Sequence, residues 1–379
     1  KINFPEKLSN FLLVTFTIFI IYSLTNYFLN QTKKEIKENI FYNNNTFESL
    51  TFKNKPDIIH IIPDSLLSID ELEKAGYDVE KMKKNFESMN LEIIKNSYAN
   101  YTKTHFSVAS FLNGSIFKEN YEWKEADIYK YMNNSTFHQK LIENGYQIEW
   151  YETRWLGSRC PQKAKIICAN KNFLQNEFFA SLSTSLNINY MWFEKFYFKI
   201  FKKSFSRHLE VVLNNIDKHD TTDPRYIYGY MQLPHPPFTV NKNCESSYIF
   251  FSTSGVEQPI FNKSQYLEQV SCLEKSLKRL YSSFKERGRD FVIIIQSDTG
   301  HFLYGYDKYP SPSNDLDYPI EVFKPMFAVS KSLKCFEDKN KIFNVELLNL
   351  ILSCINNEIS KKISNKDQLY SIYHHDHKK

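Results

Sequence analysis

Glycine is scarce in this chain, 9 residues among 379, while phenylalanine reaches 32 and tyrosine 25. With abundant Lys, Asn and Ile, that profile reads as compositional drift in an AT-rich genome and not as a functional stripe. Charge of one sign is equally thin. Lys and Arg number 48 against 43 Asp and Glu, a formal net charge of +5. No stretch gathers the basic residues densely, so the electrostatic footprint of a nucleic-acid binder is missing. The six cysteines, at 160, 168, 244, 272, 335 and 354, never form a C-x-x-C, which excludes zinc ribbons and thioredoxin-type redox sites. No segment repeats along the chain. Only one Asp-Thr-Gly triplet occurs, Asp298-Thr299-Gly300. An aspartic protease needs two carboxylates sharing a proton, and a lone triplet fed by a long helix does not supply them.

One long run lacks charge altogether. From Leu8 to Thr32 no residue is charged, and Lys7 and Lys33 bracket the run. A bilayer core needs about 20 mostly apolar residues in a helix, so residues 1–32 are expected to carry a transmembrane segment. No small-residue cleavage site follows it, which argues against a signal peptide. Lysines flank both sides and leave orientation open; a chain opening on Lys1 leaves room for further spans upstream. Residues 33–54, polar and rich in Asn, read as a tether. Residues 55–365 read as one domain and 366–379 as a flexible tail. All six cysteines follow the apolar run. Disulfides in an extracytoplasmic domain suit that arrangement, with Cys160–Cys168 and Cys244–Cys272 the preferred pairs; buried free thiols are the open alternative.

Inside the domain the pattern alternates. "KPDIIHIIPD", "YQIEWYE", "RYIYGYMQLP", "FVIIIQSD" and "KPMFAVS" have the compact apolar runs of strands buried on both faces. Between them lie helical stretches, "SIDELEKAGYDVEKMKKNFESM", "HFSVASFLNG", "SQYLEQVSCLEKSLKRLYSSFKERG" and "NVELLNLILSCI". Such alternation predicts an α/β fold, a sandwich around a mostly parallel sheet.

Ligands of open α/β sheets bind beyond the carboxyl ends of the strands. Asp64 ends the first strand and Asp298 a late one. Two buried carboxylates facing each other need a positive partner, and a divalent cation fits. Taken singly, each Asp is as well explained as a helix N-cap. Thr104 stands before a helix whose first turn seats anions well. It reads either as that helix's N-cap or as a hydroxyl activated beside a metal. His60 and His105 are expected to be packing or surface residues.

Four motifs in order, "KPDIIHIIPDSLLS", "NSYANYTKTHFSVASFLNGS", "MQLPHPPF" and "FVIIIQSDTGH", resemble the sulfatase-like branch of the alkaline phosphatase superfamily, over roughly residues 55 to 335. The nearest pattern is that of membrane-anchored bacterial sulfatase-domain proteins of cell-surface glycan and lipid metabolism. The resemblance implies a three-layer α/β/α fold and one divalent metal ion (Mn, Mg or Zn), held by Asp64, Thr104 and Asp298. It implies Thr104 as nucleophile and His235 beside the transferred group, with Ser107 a further substrate contact. The chain departs from the family twice. Thr104 stands where true sulfatases have the Cys or Ser that matures to formylglycine, and it matches instead the phosphoethanolamine and phosphoglycerol transferases with their phospho-threonine. Thr299 stands where the family has His, so that His301 or the Thr299 hydroxyl would have to replace the ligand, or the protein is catalytically silent; His301 reads as a metal ligand or substrate contact, with an ordinary loop histidine the open alternative. The expected activity is metal-dependent phosphoryl transfer or phosphodiester cleavage on membrane lipid or surface glycan. A sulfuric or phosphoric ester hydrolase of the same fold is the alternative.

Overall fold

The computed structural model describes residues 51–118, 125–151, 160–161, 163–168, 221–236, 238, 240–245, 263–301, 320–333 and 341–356, with isolated positions 17, 22, 41 and 47. Apart from positions 17 and 22, the expected transmembrane segment lies outside the described residues, as does the 366–379 tail. No helix among the described residues is long and apolar enough to cross a membrane. From Phe41 onward the chain forms one compact unit.

Chain order runs β1 (Asp57–Asp64), α1 (Ile69–Lys74), α2 (Val79–Ser88), β2 (Leu91–Ile94), β3 (Ser97–Tyr98) and α3 (Thr104–Asn113). It continues with α4 (Glu125–Asn133), α5 (Thr136–Glu143), β4 (Gln147–Tyr151), β5 (Ile166–Cys168) and β6 (Arg225–Pro234). Then come α6 (Lys263–Lys285), β7 (Phe291–Gln296), a 3₁₀ turn (Ile320–Phe323), β8 (Phe327–Ser330), β9 (Ile342–Phe343) and α7 (Asn344–Asn356). Seven strands form one sheet in the order β2-β8-β7-β1-β6-β4-β5. β7, β1, β6, β4 and β5 are mutually parallel, whereas β8 runs antiparallel to both β7 and β2.

β1 occupies the middle of the sheet and is buried along its whole length. Its alternate residues face two helical layers. Ile59 and Ile61 pack with Leu72 of α1, Met82 and Phe86 of α2, and Val270, Leu273 and Leu277 of α6. On the opposite face His60 lies against Phe111 of α3, and Tyr226 and Tyr228 of β6 against Phe137 and His138 of α5. Each fully buried Ile, Leu or Phe contributes about 1.5–3 kcal/mol, so this double coverage holds the strand ends rigidly.

Local chemistry sets the element ends. The stretch "SIDELEKAGYDVEKMKKNFESM" breaks into α1 and α2 where Gly76 takes φ +80. The second helix restarts on Asp78, whose side chain accepts the Lys81 N–H at 3.0 Å. Gly114 stops α3 in the left-handed conformation, φ 58. Cys160–Cys168 and Cys244–Cys272 are disulfides, and Cys354 is disulfide-bonded too. The tether expectation needs one refinement. Phe41, Phe47 and Phe52 are buried, with rings against Phe117, Phe137 and Tyr146 respectively. Aromatic side chains among the polar ones anchor these three points to the domain.

At the amino end of the sheet a charge cluster closes the core. Arg225 lies 3.2 Å from Glu149 and 3.5 Å from Asp57, and Arg289 reaches Asp57 at 3.2 Å. The Tyr151 hydroxyl donates to Glu149 at 2.9 Å.

Candidate active site

The carboxyl end of the sheet carries the acidic pair. The pairing of β1 with β6 shifts register between Pro63 and Asp64, and Ser65 follows at φ +62. That conformation costs a non-glycine residue about 1 kcal/mol or more, and hydrogen bonds over-determine it. The Ser65 N–H donates to Asp298 Oδ1 at 2.9 Å, and its Oγ donates to Asp64 Oδ1 at 3.0 Å. Ser65 is therefore the bridge between the two carboxylates. Leu66 N–H donates to Ser297 Oγ at 2.8 Å, and Ser297 Oγ donates to the Pro63 carbonyl at 2.9 Å. These bonds tie the end of β1 to the end of β7.

Asp298 follows β7 and is fully buried. Among the described residues its Oδ2 has no hydrogen-bond partner. Burial, then the charge of Asp64, push its carboxyl well above the ordinary range, while Thr104 and the Ser65 N–H pull the other way. Gly300 explains itself sterically: a Cβ there would lie 1.9 Å from the Glu321 carbonyl oxygen. Its N–H donates to the Val322 carbonyl at 2.7 Å. The triplet thus needs its glycine for close backbone approach, and Thr299 is buried with its hydroxyl 3.4 Å from Ser65 Oγ.

Thr104 is the first residue of α3, and Lys103 occupies the N-cap position without a side-chain cap. The N-cap reading of Thr104 is corrected accordingly. Its hydroxyl interacts with Asp298 instead. Tyr230, fully buried on β6, faces Asp64 and Thr104, although its oxygen does not attain hydrogen-bond geometry with either. Burial, then the charges of Asp64 and Asp298, hold its phenol well above the usual value.

Ser107, expected as a substrate contact, has its hydroxyl engaged inside the protein. It is fully buried, donates to the Asp298 carbonyl at 2.5 Å and accepts from Asn344 Nδ2 at 2.8 Å. Asn344 Nδ2 also donates to the Asp298 carbonyl at 2.8 Å. These two side chains grip the backbone of Asp298 from α3 and α7. His301 stacks on Tyr266 with centroids 4.6 Å apart and planes 2° apart, and its ring lies 6.2 Å from that of His235. Burial, then the nearby His235, keep it neutral far below the ordinary histidine range. His60 is buried, as expected of a packing residue, with Nδ1 2.7 Å from the Tyr226 hydroxyl.

An orphaned buried carboxylate oxygen, a second carboxylate and a threonine hydroxyl form an all-oxygen donor set. It fits a hard divalent cation such as Mg²⁺ or Mn²⁺ better than Zn²⁺. Among the described residues no three His, Cys, Asp or Glu side chains gather to hold an ion. The His301 ring, one of the expected candidate ligands, is stacked on Tyr266. Asp64, Asp298 and Thr104 are the side chains that would hold a cation here. The sequence singled out Asp64, Asp298, Thr104 and His235 as candidates, but did not point to Ser65, Tyr230, Tyr266, Ser297 and Asn344, which contact or support them. Only the serine after a strand-ending Asp offered a local signal.

The chain was compared with known proteins. The Sulfatase family model matches residues 56–356. No curated protein matches significantly. Among solved structures, the integral membrane lipooligosaccharide phosphoethanolamine transferase A from Neisseria meningitidis is similar at 12% identity and TM-score 0.53, over 91% of this chain and 63% of that one. The C-terminal periplasmic domain of phosphoethanolamine transferase EptC from Campylobacter jejuni shares 13% identity, with TM-score 0.48, over 81% of this chain and 91% of that one. A protein in the alkaline phosphatase superfamily from Vibrio parahaemolyticus shares 11% identity, with TM-score 0.41, over 86% and 72%. Identities this low speak to the fold alone. With the family model spanning the sheet and both ends of the acidic site, the chain belongs to the sulfatase family.

Proposed function

We propose that this protein is a metal-dependent phosphoryl-group transferase or phosphodiesterase, acting on membrane lipid or surface glycan through a covalent phospho-threonine at Thr104. The observation that carries the reading is the buried Asp298 oxygen, without a partner, beside Asp64 and the hydroxyl-bearing start of α3. Bound there, a divalent cation supplies positive charge against the charge developing on the phosphoryl oxygens.

The remaining work falls to side chains. Thr104 Oγ1 forms the bond to phosphorus as the bond to the departing alcohol oxygen breaks. The threonine proton passes to the adjacent carboxylate, and His235 gives a proton to the departing oxygen. An acceptor hydroxyl then returns its proton to His235 as it takes the phosphoryl group. Thr104 recovers its own proton from the carboxylate. Water in that place makes the enzyme a hydrolase. The first turn of α3, with no side-chain cap, offers N–H groups to the bound anion, and His301 with His235 contacts its oxygens. The formylglycine route to sulfate esters is set aside, because Thr104 cannot mature that way.

The disulfides support an extracytoplasmic domain, tethered to a membrane by the apolar run at Leu8–Thr32. Similarity in fold to a lipooligosaccharide phosphoethanolamine transferase is in keeping with a lipid or glycan substrate. Incubation with a phosphoethanolamine lipid, followed by mass spectrometry of the Thr104 peptide, tests the mechanism. A phosphoryl adduct on the wild type and none on Thr104→Ala is the expected outcome; unchanged turnover in Thr104→Ala contradicts it. Products formed with and without an acceptor alcohol separate transferase from hydrolase. The hydroxyl contact of Thr299 with Ser65, in place of the family's histidine, favours a second reading, a catalytically silent surface protein. That protein purifies without metal and takes no adduct.

A further inference from the structure

Tyr266, near the start of α6, takes no part in the chemistry above, yet it touches both halves of the site. It is fully buried. Its ring lies flat on the His301 imidazole, 4.6 Å away. Its hydroxyl donates to the Ser65 carbonyl at 2.9 Å and accepts the Leu67 N–H at 3.0 Å. Ser65 in turn donates to both Asp64 and Asp298. A core-filling aromatic needs no hydroxyl, and a capping hydroxyl needs no ring. Here one side chain spends its ring on the histidine and both faculties of its hydroxyl on the strained turn after β1. Phenylalanine would keep the first contact and lose the second; leucine would lose both.

We infer that Tyr266 is a positioning residue that joins the acidic turn to the histidine facing the substrate, so that cation affinity and diester binding are set from one ring. The role assigned to His301 rests on the proposed function, whereas the role in shaping the acidic turn does not. The test uses the full chain with Tyr266→Phe and Tyr266→Leu, each shown to be folded by thermal unfolding. Mn²⁺ alone is titrated in, the His301 ring protons are followed by NMR, and KM is measured with bis(4-nitrophenyl) phosphate.

Tyr266→Phe should lower Mn²⁺ affinity about tenfold, the usual size of an effect transmitted through a ligand's supporting hydrogen bonds. Its KM and the upfield-shifted His301 resonances should stay as in the wild type. Tyr266→Leu should weaken Mn²⁺ binding similarly, abolish the ring-current shift and raise KM. Wild-type Mn²⁺ affinity in Tyr266→Phe, or unchanged His301 resonances in Tyr266→Leu, overturns the inference. So does identical behaviour of the two variants in every readout, which is what plain packing predicts. A wild type that binds no Mn²⁺ removes the half concerning the acidic turn. A wild type that binds Mn²⁺ but never phosphorylates Thr104 contradicts the proposed function alone, since the titration and the resonances still report on Tyr266.

Discussion

The two ends of the central strand treat buried acid differently. At the amino end, Asp57 and Glu149 meet Arg225 and Arg289 at 3.2–3.5 Å, and the charges are matched within the protein. At the carboxyl end, Asp64 and Asp298 are just as buried, yet among the described residues no Lys or Arg pairs with either. One carboxylate oxygen there has no hydrogen-bond partner among the described residues. Both ends pay desolvation for their carboxylates, but only one is complete without a guest. The difference separates a structural charge cluster from a site, and it is visible only when both are compared on the same strand.

That contrast can be broken by substitution. Asp298→Asn should lower phosphoryl transfer by about a thousandfold or more, measured as phospho-threonine formation. Its thermal midpoint should hold or rise, because an unmatched buried charge is gone. Arg225→Met should do the opposite. It removes the guanidinium facing Glu149 and Asp57 and should cost about 3–5 kcal/mol in denaturant unfolding, with Mn²⁺ affinity unchanged. Gly300→Ala places a methyl group against the Glu321 carbonyl and should cost about 3 kcal/mol together with loss of cation binding, since the Asp298 backbone must shift.

The middle of the strand handles burial in a third way, by staying neutral. Burial takes His60 down to about 3, and burial with the nearby His60 takes His138 to about 3 as well. Above pH 6.5 these histidines are neutral folded or unfolded, and stability is unaffected by them. Between about 6.5 and about 3 the unfolded chain binds protons that the folded chain refuses, so stability falls as pH falls. Each histidine accounts for about 2 kcal/mol lost by pH 5. Urea unfolding of His138→Phe at pH 7 and pH 5 should show a loss on acidification smaller by about that amount.

Much of this was legible along the chain because it is local. A short apolar run leading to Asp marks a buried parallel strand, and the strands are there: Asp64 ends β1, and Asp298 follows two residues after the end of β7. Spacing suggested Cys160–Cys168 and Cys244–Cys272, and Gly114 announced the end of α3. What stayed hidden depends on tertiary neighbours. Ser107 is expected to contact substrate, and its hydroxyl bond to the Asp298 backbone can be seen only in the folded chain. His301 reads as a ligand, a substrate contact or a loop histidine, and its stacking on Tyr266, some distance back in sequence, has no local signal. Asn344 is an ordinary helix-start residue until three elements converge on it.

The most direct measurement is anomalous diffraction from crystals of the whole domain soaked in Mn²⁺. The account predicts one anomalous peak between the Asp64 and Asp298 carboxylates, within coordination distance of Thr104 Oγ1, and no peak in the Asp298→Asn variant. A wild-type crystal with no peak there, or with its peak at another site, contradicts it.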